Sequence, residues 1–493
     1  MEFFDRKYEL AETEELTKKG SRMLVLYGKR RIGKTALIAE LFKHAESSKN
    51  LYFFVPKNER ISSVMENFAS MTKDTLGLKE YEKITDFSDL IKLLFDYSKK
   101  DKIIVAFDEF QNFNHIYPQA TDILQKEWDA LKEQSNLSLL ISGSVVGMIK
   151  DMFMGKGSPL FGRAYNVMEL REFGIEETFE LMDRIGVKGI EDKLRLYFMF
   201  GGVISYYVLM DYYGLKSFGE VVDRLLLSPV TPLKDIVKND MIEAFGNSAP
   251  AYFSILESIA SGKNRNNDIA AYVQLKETSV PQYISDLKSL LGIVDSITLP
   301  TKKIKPGSKK NALEITDNFY NFWFEVVWKD YKYYEMQDME GLRKRIYGQI
   351  SVFNGRAFES YTQGLIKILS KRGLMFSVDR IGNWWGRDPS KPNGLNEEEI
   401  DIIAINDKTK DILFAECKWT NSKVGPDTYE ELKRKGRLVQ WHNDSRKEHY
   451  ALFSKAGFTE EMEKAAKKEK VMLFGLDAIA EALENKSYSN PKK

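Results

Sequence analysis

GKRRIGKT, residues 28–35, decides how the N-terminal part of this 493-residue chain reads. It follows an apolar run, MLVLY at 23–27, and opens an amphipathic one, TALIAELF at 35–42. Strand, glycine-rich turn and helix, in that order, are the context in which this spacing cradles phosphate. The chemistry explains the residue types. Gly28 and Gly33 let backbone amides approach phosphate oxygens at a helix N-terminus, Lys34 supplies a point charge, and Thr35 offers a magnesium ligand. Arg31 and Ala36 complete the expected nucleotide-binding set, and the expected ligands are ATP and magnesium.

Working outward, residues 22–27, 51–55, 103–107 and 137–142 read as strands separated by amphipathic helical runs. That alternation predicts a parallel α/β sheet. IIVAFDEF places Asp108 and Glu109 at the C-terminal end of a strand, where open parallel sheets bind ligands. Asp108 is expected to hold magnesium and Glu109 to polarise the attacking water. LLISGS ends a further strand at Ser142 and Ser144, either of which is placed to sense a γ-phosphate; Ser144 is counted with the nucleotide site. Arg163, in SPLFGRAYNV, is the candidate arginine for the transition state, acting in cis or from a neighbouring copy.

Composition narrows the alternatives. The chain is 43% hydrophobic and 29% charged with a net charge of +1, an ordinary globular balance that excludes a uniformly basic nucleic-acid coat protein. Its length predicts about three domains. Cys417 is the only cysteine, and His44, His115, His442 and His449 have no zinc-like spacing. Any catalytic metal therefore sits on carboxylates and phosphates, which favours magnesium. The longest mostly apolar stretch, 137–149, is too short to span a bilayer, and the acidic N-terminus is unlike a secretory signal. The expectation is a cytoplasmic protein without a membrane partner.

From 172 to 247 the pattern is helical and reads as a lid. Residues 249–294 read as three short helices, followed by a polar loop and the strand-like ALEIT, which is winged-helix order. Ile269, Ala270 and Val273 are expected to bury one helix, and Val280, Ile284, Leu287 and Leu291 the next. Thr278, Ser279, Gln282, Tyr283 and Ser285 are left on more exposed faces, polar enough for phosphates or base edges. The wing TKKIKPGSKK carries Lys302, Lys303, Lys305, Lys309 and Lys310 with no acid among them, which suits contact with DNA phosphates. A solvated loop on a protein-binding module is the competing reading.

The second chemical signal is EEEIDIIAINDKTKDILFAECKW, residues 397–419. Period-two alternation puts Asp401 on one strand face and Ile400 and Ile402 on the other, while Glu416 and Lys418 share a face of the next strand. A turn at 407–410 sets Asp401 opposite Glu416. Two carboxylates that close share a magnesium ion and repel each other without one, and Lys418 lies beside them. Upstream, FNGRAFESYTQGLIKIL reads as a helix built on Phe358, Tyr361, Leu365 and Ile368. Trp384, Trp385 and Arg387 either stack on unpaired bases or pack the sheet, with packing favoured for the tryptophans. Lys433, Arg434, Lys435 and Arg437 form a basic helix that either follows a phosphate backbone or is simply solvated.

FFDRKYEL, GKRRIGKT, IIVAFDEFQ, ISGSVVGM, SPLFGRAY and the later FGGV together resemble the archaeal ATPase family, a P-loop group allied to AAA+ and signal-transduction ATPases. The resemblance implies an α/β P-loop core at 1–171, a helical lid at 172–247, a winged helix at 248–335 and, at 336–493, a restriction-endonuclease-like domain similar to PD-(D/E)xK nucleases. It further implies that Asp5 and Arg6 flank the adenine site and that Glu359 is an additional acid of the nuclease-like site. The family's glycine pair is usually followed by a hydrophobic residue and proline, whereas here Gly201-Gly202-Val203 leads into Ile204. The expected activity couples ATP hydrolysis to DNA engagement and magnesium-dependent cleavage by Asp401, Glu416 and Lys418, in a monomer or a homo-oligomer. A nucleotide switch with a non-catalytic docking domain is the alternative, and a chaperone-like ATPase a third reading.

Overall fold

Near-continuous burial along the strands at 22–27, 103–108 and 137–143 makes a sheet covered on both faces. In the computed structural model, which describes residues 3–78, 84–228, 233–297, 299–301, 312–392 and 394–484, five strands lie parallel in the order β2-β3-β4-β1-β5. They are β1 (Arg22–Tyr27), β2 (Lys49–Phe54), β3 (Ile103–Asp108), β4 (Leu137–Gly143) and β5 (Asn166–Glu169). Met23, Val25, Ile103, Val105 and Phe107 enter one core with helices Ile61–Leu76 and Phe87–Ser98. Leu24, Leu26, Ile104 and Ala106 enter a second core with Leu37, Ile38 and Leu41 of helix Lys34–His44. Both faces are apolar, as parallel crossovers require. β5 was not anticipated: its four residues, NVME, are mostly half-buried at the sheet edge and lack the apolar run of the other strands.

The described residues cluster into two units. One comprises the chain up to Glu172 with Val203–Leu209 and Ser285–Gly292, and the other comprises the remainder. Along the chain, helices Ala249–Ala260, Asn266–Val273 and Val280–Asp286 precede an antiparallel pair, β6 (Val294–Ser296) with β7 (Leu313–Ile315). Ile269, Ala270, Val280 and Ile284 are buried as expected, while Val273 is only half-buried. Thr278, Gln282 and Ser285 are exposed. Tyr283 instead sets its ring edge-on to Tyr252 at 4.9 Å. The five wing lysines lie outside the described residues.

Helix Met339–Lys371 then runs for 33 residues, its N-terminus capped by the Asp338 carboxylate on the Gly341 amide. Ile368, expected on the buried stripe, is half-buried, and Ile366 and Leu369 are buried in its stead. The C-terminal sheet has the order β12-β11-β10-β9-β8. Its strands are β8 (Arg380–Arg387), β9 (Glu397–Ile405), β10 (Asp411–Lys418), β11 (Lys447–Ser454) and β12 (Met472–Phe474). β8, β9 and β10 are antiparallel; β10, β11 and β12 are parallel, with helices Pro426–Gly436 and Glu460–Glu469 as the crossovers. Among the described residues no helix is long and apolar enough to cross a membrane.

Candidate functional site

The phosphate-binding loop is shaped by what cannot fit there. A Cβ on Gly28 would sit 2.2 Å from the Leu170 carbonyl oxygen, and Gly33 has φ 98°, the left-handed region open to glycine. Helix Lys34–His44 starts directly after it, so its unpaired amides face the loop. Lys34 is 6% exposed and its ammonium donates to the Gly28 and Lys29 carbonyls at 3.0 and 2.8 Å. Burial lowers its pKa, against the pull of Glu109 and Asp108. An anion arriving at this loop relieves that desolvation.

Thr35 and Asp108 meet at the strand ends. The Thr35 hydroxyl donates to Asp108 Oδ2 at 2.9 Å, and the same oxygen accepts from the Tyr52 hydroxyl at 2.8 Å. Ser142 donates to Asp108 Oδ1 at 2.6 Å. Glu109, in the left-handed region at φ 57°, accepts from Ser144 at 2.7 Å and from Gln111. The two serines thus act on the acidic pair: Ser142 orients Asp108, and Ser144 holds Glu109. The paired Thr35 and Asp108 oxygens fit magnesium, which takes hard oxygen ligands. A cavity of about 600 Å³ opens here, lined by Phe3, Arg6, Arg31, Thr35, Ala36 and Glu109 among others. Arg6 donates to the Arg171 and Ile32 carbonyls at 2.6 and 3.2 Å and so braces the cavity wall, whereas Asp5 is not among the lining residues. Ile204 and Ser205 line it as well, and the Ser205 amide donates to the Arg31 carbonyl. The residues after the glycine pair thus contact the phosphate loop despite lacking proline.

Tyr52 and Gln111 were missed: Tyr52 belongs to no motif, and Gln111 closes IIVAFDEFQ without a role assigned to it; β2 delivers Tyr52 only because it pairs with β3, Phe54 lying opposite Asp108. Tyr52→Phe should raise the magnesium requirement for ATP hydrolysis about tenfold, leaving metal-free nucleotide binding unchanged; a magnesium titration of steady-state turnover measures it.

Arg163 is placed elsewhere. It makes a bidentate ion pair with Asp129, binds the Pro159 carbonyl, and is not among the residues lining the nucleotide cavity.

In the C-terminal sheet, β9 and β10 pair in the expected register as far as Ala415 opposite Ile402, and just beyond that pair Glu416 acts on Asp401 through its charge. Lys418 Nζ lies 2.6 Å from Glu416 Oε1, and the Cys417 amide donates to Asp401 Oδ2 at 2.8 Å. Burial, then Glu416, pushes Asp401 up to about 6. Burial, with Asp401, Glu399 and Glu416 adding repulsion, pushes Glu359 up to about 8. Burial works against the charge of Lys418, but the hydrogen bond and charge of Glu416 outweigh it and raise its pKa. Glu416 is 7% exposed, and its Oε2 is buried with no hydrogen-bond partner. An orphaned buried carboxylate oxygen beside a repelling carboxylate fits a divalent cation. Among the described residues no three His, Cys, Asp or Glu side chains converge as a complete metal cage; magnesium commonly uses one or two carboxylates plus water and substrate phosphate.

Glu399, Asn383 and Gln363 were not anticipated. Glu399 shares the strand face of Asp401, two residues away; Gln363 donates to Asn383 at 3.1 Å, and the Asn383 amide lies 3.5 Å from Glu359. Of the basic helix, Arg434 is consumed by Asp388, Glu398 and Glu431, and Lys433 by Glu469, so these two are structural. Lys435 acts on Glu399 and Asp401 through its charge. Trp384 packs in the core, whereas Trp385 is 38% exposed.

The raised Glu359 has a stability consequence. A carboxyl whose folded pKa lies near 8 and whose unfolded pKa lies near 4 favours the folded state at low pH and loses that contribution as pH rises through about 8. With chelator present, wild-type stability should fall by on the order of 2 kcal/mol between pH 5.5 and 8.5. Glu359→Gln should flatten that slope in thermal melts.

A profile described as an ATPase domain predominantly from Archaea matches residues 3–208, and one described as archaeal and bacterial proteins of unknown function matches residues 323–431. An uncharacterized protein of Methanocaldococcus jannaschii is 29% identical over 460 residues, covering 92% of this chain and 95% of that one. Another from the same organism is 34% identical over 89 residues, 18% of this chain and 82% of its own length. Among solved structures, the Walker-type ATPase of Pyrococcus abyssi matches with a TM-score of 0.52 at 19% identity, over 66% of this chain and 96% of that one, a likeness of fold. Residues 3–208 are thus an ATPase domain of the kind found predominantly in Archaea, and residues 323–431 are similar to archaeal and bacterial proteins of unknown function.

Proposed function

We propose that this ATPase couples its nucleotide state to DNA engagement in the cytoplasm, and that its C-terminal domain cleaves phosphodiester bonds with magnesium. The four-part division at 171, 247 and 335 belongs to this reading. So do Lys34, Thr35 and Asp108 as the holders of ATP and its magnesium, with Glu109 orienting the attacking water. The observation that carries the nuclease part is the unpartnered, buried Glu416 Oε2 beside Asp401 and Lys418. Magnesium held there supplies Lewis acidity to a phosphate. Lys418 is placed to orient a water that attacks phosphorus; one P–O ester bond breaks, and the leaving oxygen takes a proton from solvent. Glu359, held protonated near neutral pH, is the further acid of the site.

Arg163 belongs to this reading as a residue that acts in trans in a homo-oligomer, after release from Asp129. The wing lysines supply phosphate contacts. Neutralising all five should flatten the salt dependence of DNA affinity, each lost contact removing about 0.9 from the logarithmic slope; anisotropy titrations across salt read this. The deciding test incubates the full chain with linear, plasmid and single-stranded DNA, with and without ATP and magnesium, beside Glu416→Ala. Cleavage that needs magnesium and Glu416 supports the proposal. Absence of cutting under every condition leaves the docking-module reading in its place.

A further inference from the structure

The cavity of about 710 Å³ in the second unit joins two features that the sequence keeps apart. Ser296 and Thr316, at the β6–β7 pair of the winged helix, line one part of it, and Glu359, Glu399 and Asp401 line another. Whatever lies along this groove reaches the carboxylates directly. We propose that the groove is a single-strand channel, which takes an unpaired polynucleotide strand and delivers it to Asp401. The inference rests on the nuclease reading for what happens at the carboxylates, and stands on its own for what enters.

Three observations select a single strand over a duplex. The volume is that of a site for a drug-sized ligand, room for about two nucleotides. Among the described residues lining it, Arg356 is the only lysine or arginine, and it is paired with Glu325. Duplex binding depends on many cationic contacts to both backbones, whereas a single strand presents one backbone, whose counter-charge in this groove must come from divalent cations. What the groove offers is what unpaired bases use: an aromatic face and amides for base edges. Trp385 is 38% exposed and lines the groove, with Asn383 and Gln363 beside it. Its neighbour Trp384 is 6% exposed on the opposite face of β8 and packs in the core. Glu314 and Glu325, together with the carboxylates around Asp401, repel phosphate along the groove, so entry of the strand requires divalent cations.

The test measures binding of fluorescent oligothymidylate, oligouridylate and a hairpin duplex to the full chain by anisotropy, in calcium or chelator. Wild type should prefer the single strands to the duplex at least tenfold in calcium and lose that preference in chelator; the DNA and RNA arms identify which backbone is taken. Trp385→Ala should weaken single-strand binding about five- to hundredfold, as loss of one stacked base predicts, and Trp385→Phe should restore most of it. Ser360→Glu, at an exposed groove position, should weaken it without disturbing the core. Equal affinity for duplex and single strand, or single-strand affinity indifferent to both Trp385→Ala and Ser360→Glu, overturns the channel. Tryptophan-dependent single-strand binding without cleavage upholds the channel while the nuclease reading fails. Cleavage of duplex unaffected by Trp385→Ala does the reverse.

Discussion

Lys34→Ala should reduce ATP affinity about a hundredfold or more, the loss of a charged hydrogen-bonding group worth roughly 3 kcal/mol in a desolvated site. The ammonium is buried and held between loop carbonyls 2.8 and 3.0 Å away, so it waits where phosphate oxygens arrive. Glu109→Gln should behave differently. Its amide oxygen still accepts from Ser144, so the backbone and nucleotide pocket stay in place, but the carboxylate proposed to orient the attacking water is gone. Binding should remain near wild type and turnover fall about a hundred- to ten-thousandfold, the range for a positioned general base. Calorimetric nucleotide titration and phosphate-release kinetics separate the two. Full turnover in either folded variant would remove that residue from the site.

Asp401→Asn and Glu416→Gln should each abolish magnesium-dependent cleavage while ATP hydrolysis stays near normal. The carboxylates belong to a different sheet from Asp108 and Glu109, so no shared hydrogen bond transmits the change. Each substitution also removes a repelling charge from a pair whose burial lifts Asp401 to about 6. The metal-free variants should therefore melt higher than wild type above pH 7, because the cost of ionising a buried pair has gone. Loss of a magnesium or manganese heat signal together with raised metal-free stability is the paired signature. Loss of cleavage with lowered stability would mean that the substitution damaged the sheet.

Period-two and glycine-spacing patterns are local, and they carried far. The phosphate loop, β1 from Arg22 to Tyr27 and the β9–β10 register were legible because each depends on residues a few positions apart along one strand, turn or hairpin. Once the turn at 407–410 was located, antiparallel geometry set the register that pairs Ala415 with Ile402. The long helix starting at Met339 was less legible, since charged and polar residues interrupt the apolar positions Leu342, Ile346 and Ile350 of its N-terminal turns.

Tertiary structure decided everything that depends on which strands become neighbours. Tyr52 reaches Asp108 because β2 pairs with β3, across 56 residues of chain. Arg163 is spent on Asp129, and Arg434 on Asp388 and Glu398, because packing brings acids from distant segments to them. Nor does alternation alone separate Trp384 in the core from Trp385 in an open groove. Period two states that the two rings face opposite ways, but only the packed sheet shows which face is covered. By itself the sequence determined the chemistry at hand, a phosphate loop with its acidic pair and a second carboxylate hairpin; the fold decided which side chains orient those groups, because ion pairs and cavities form between segments whose separation along the chain carries no signal.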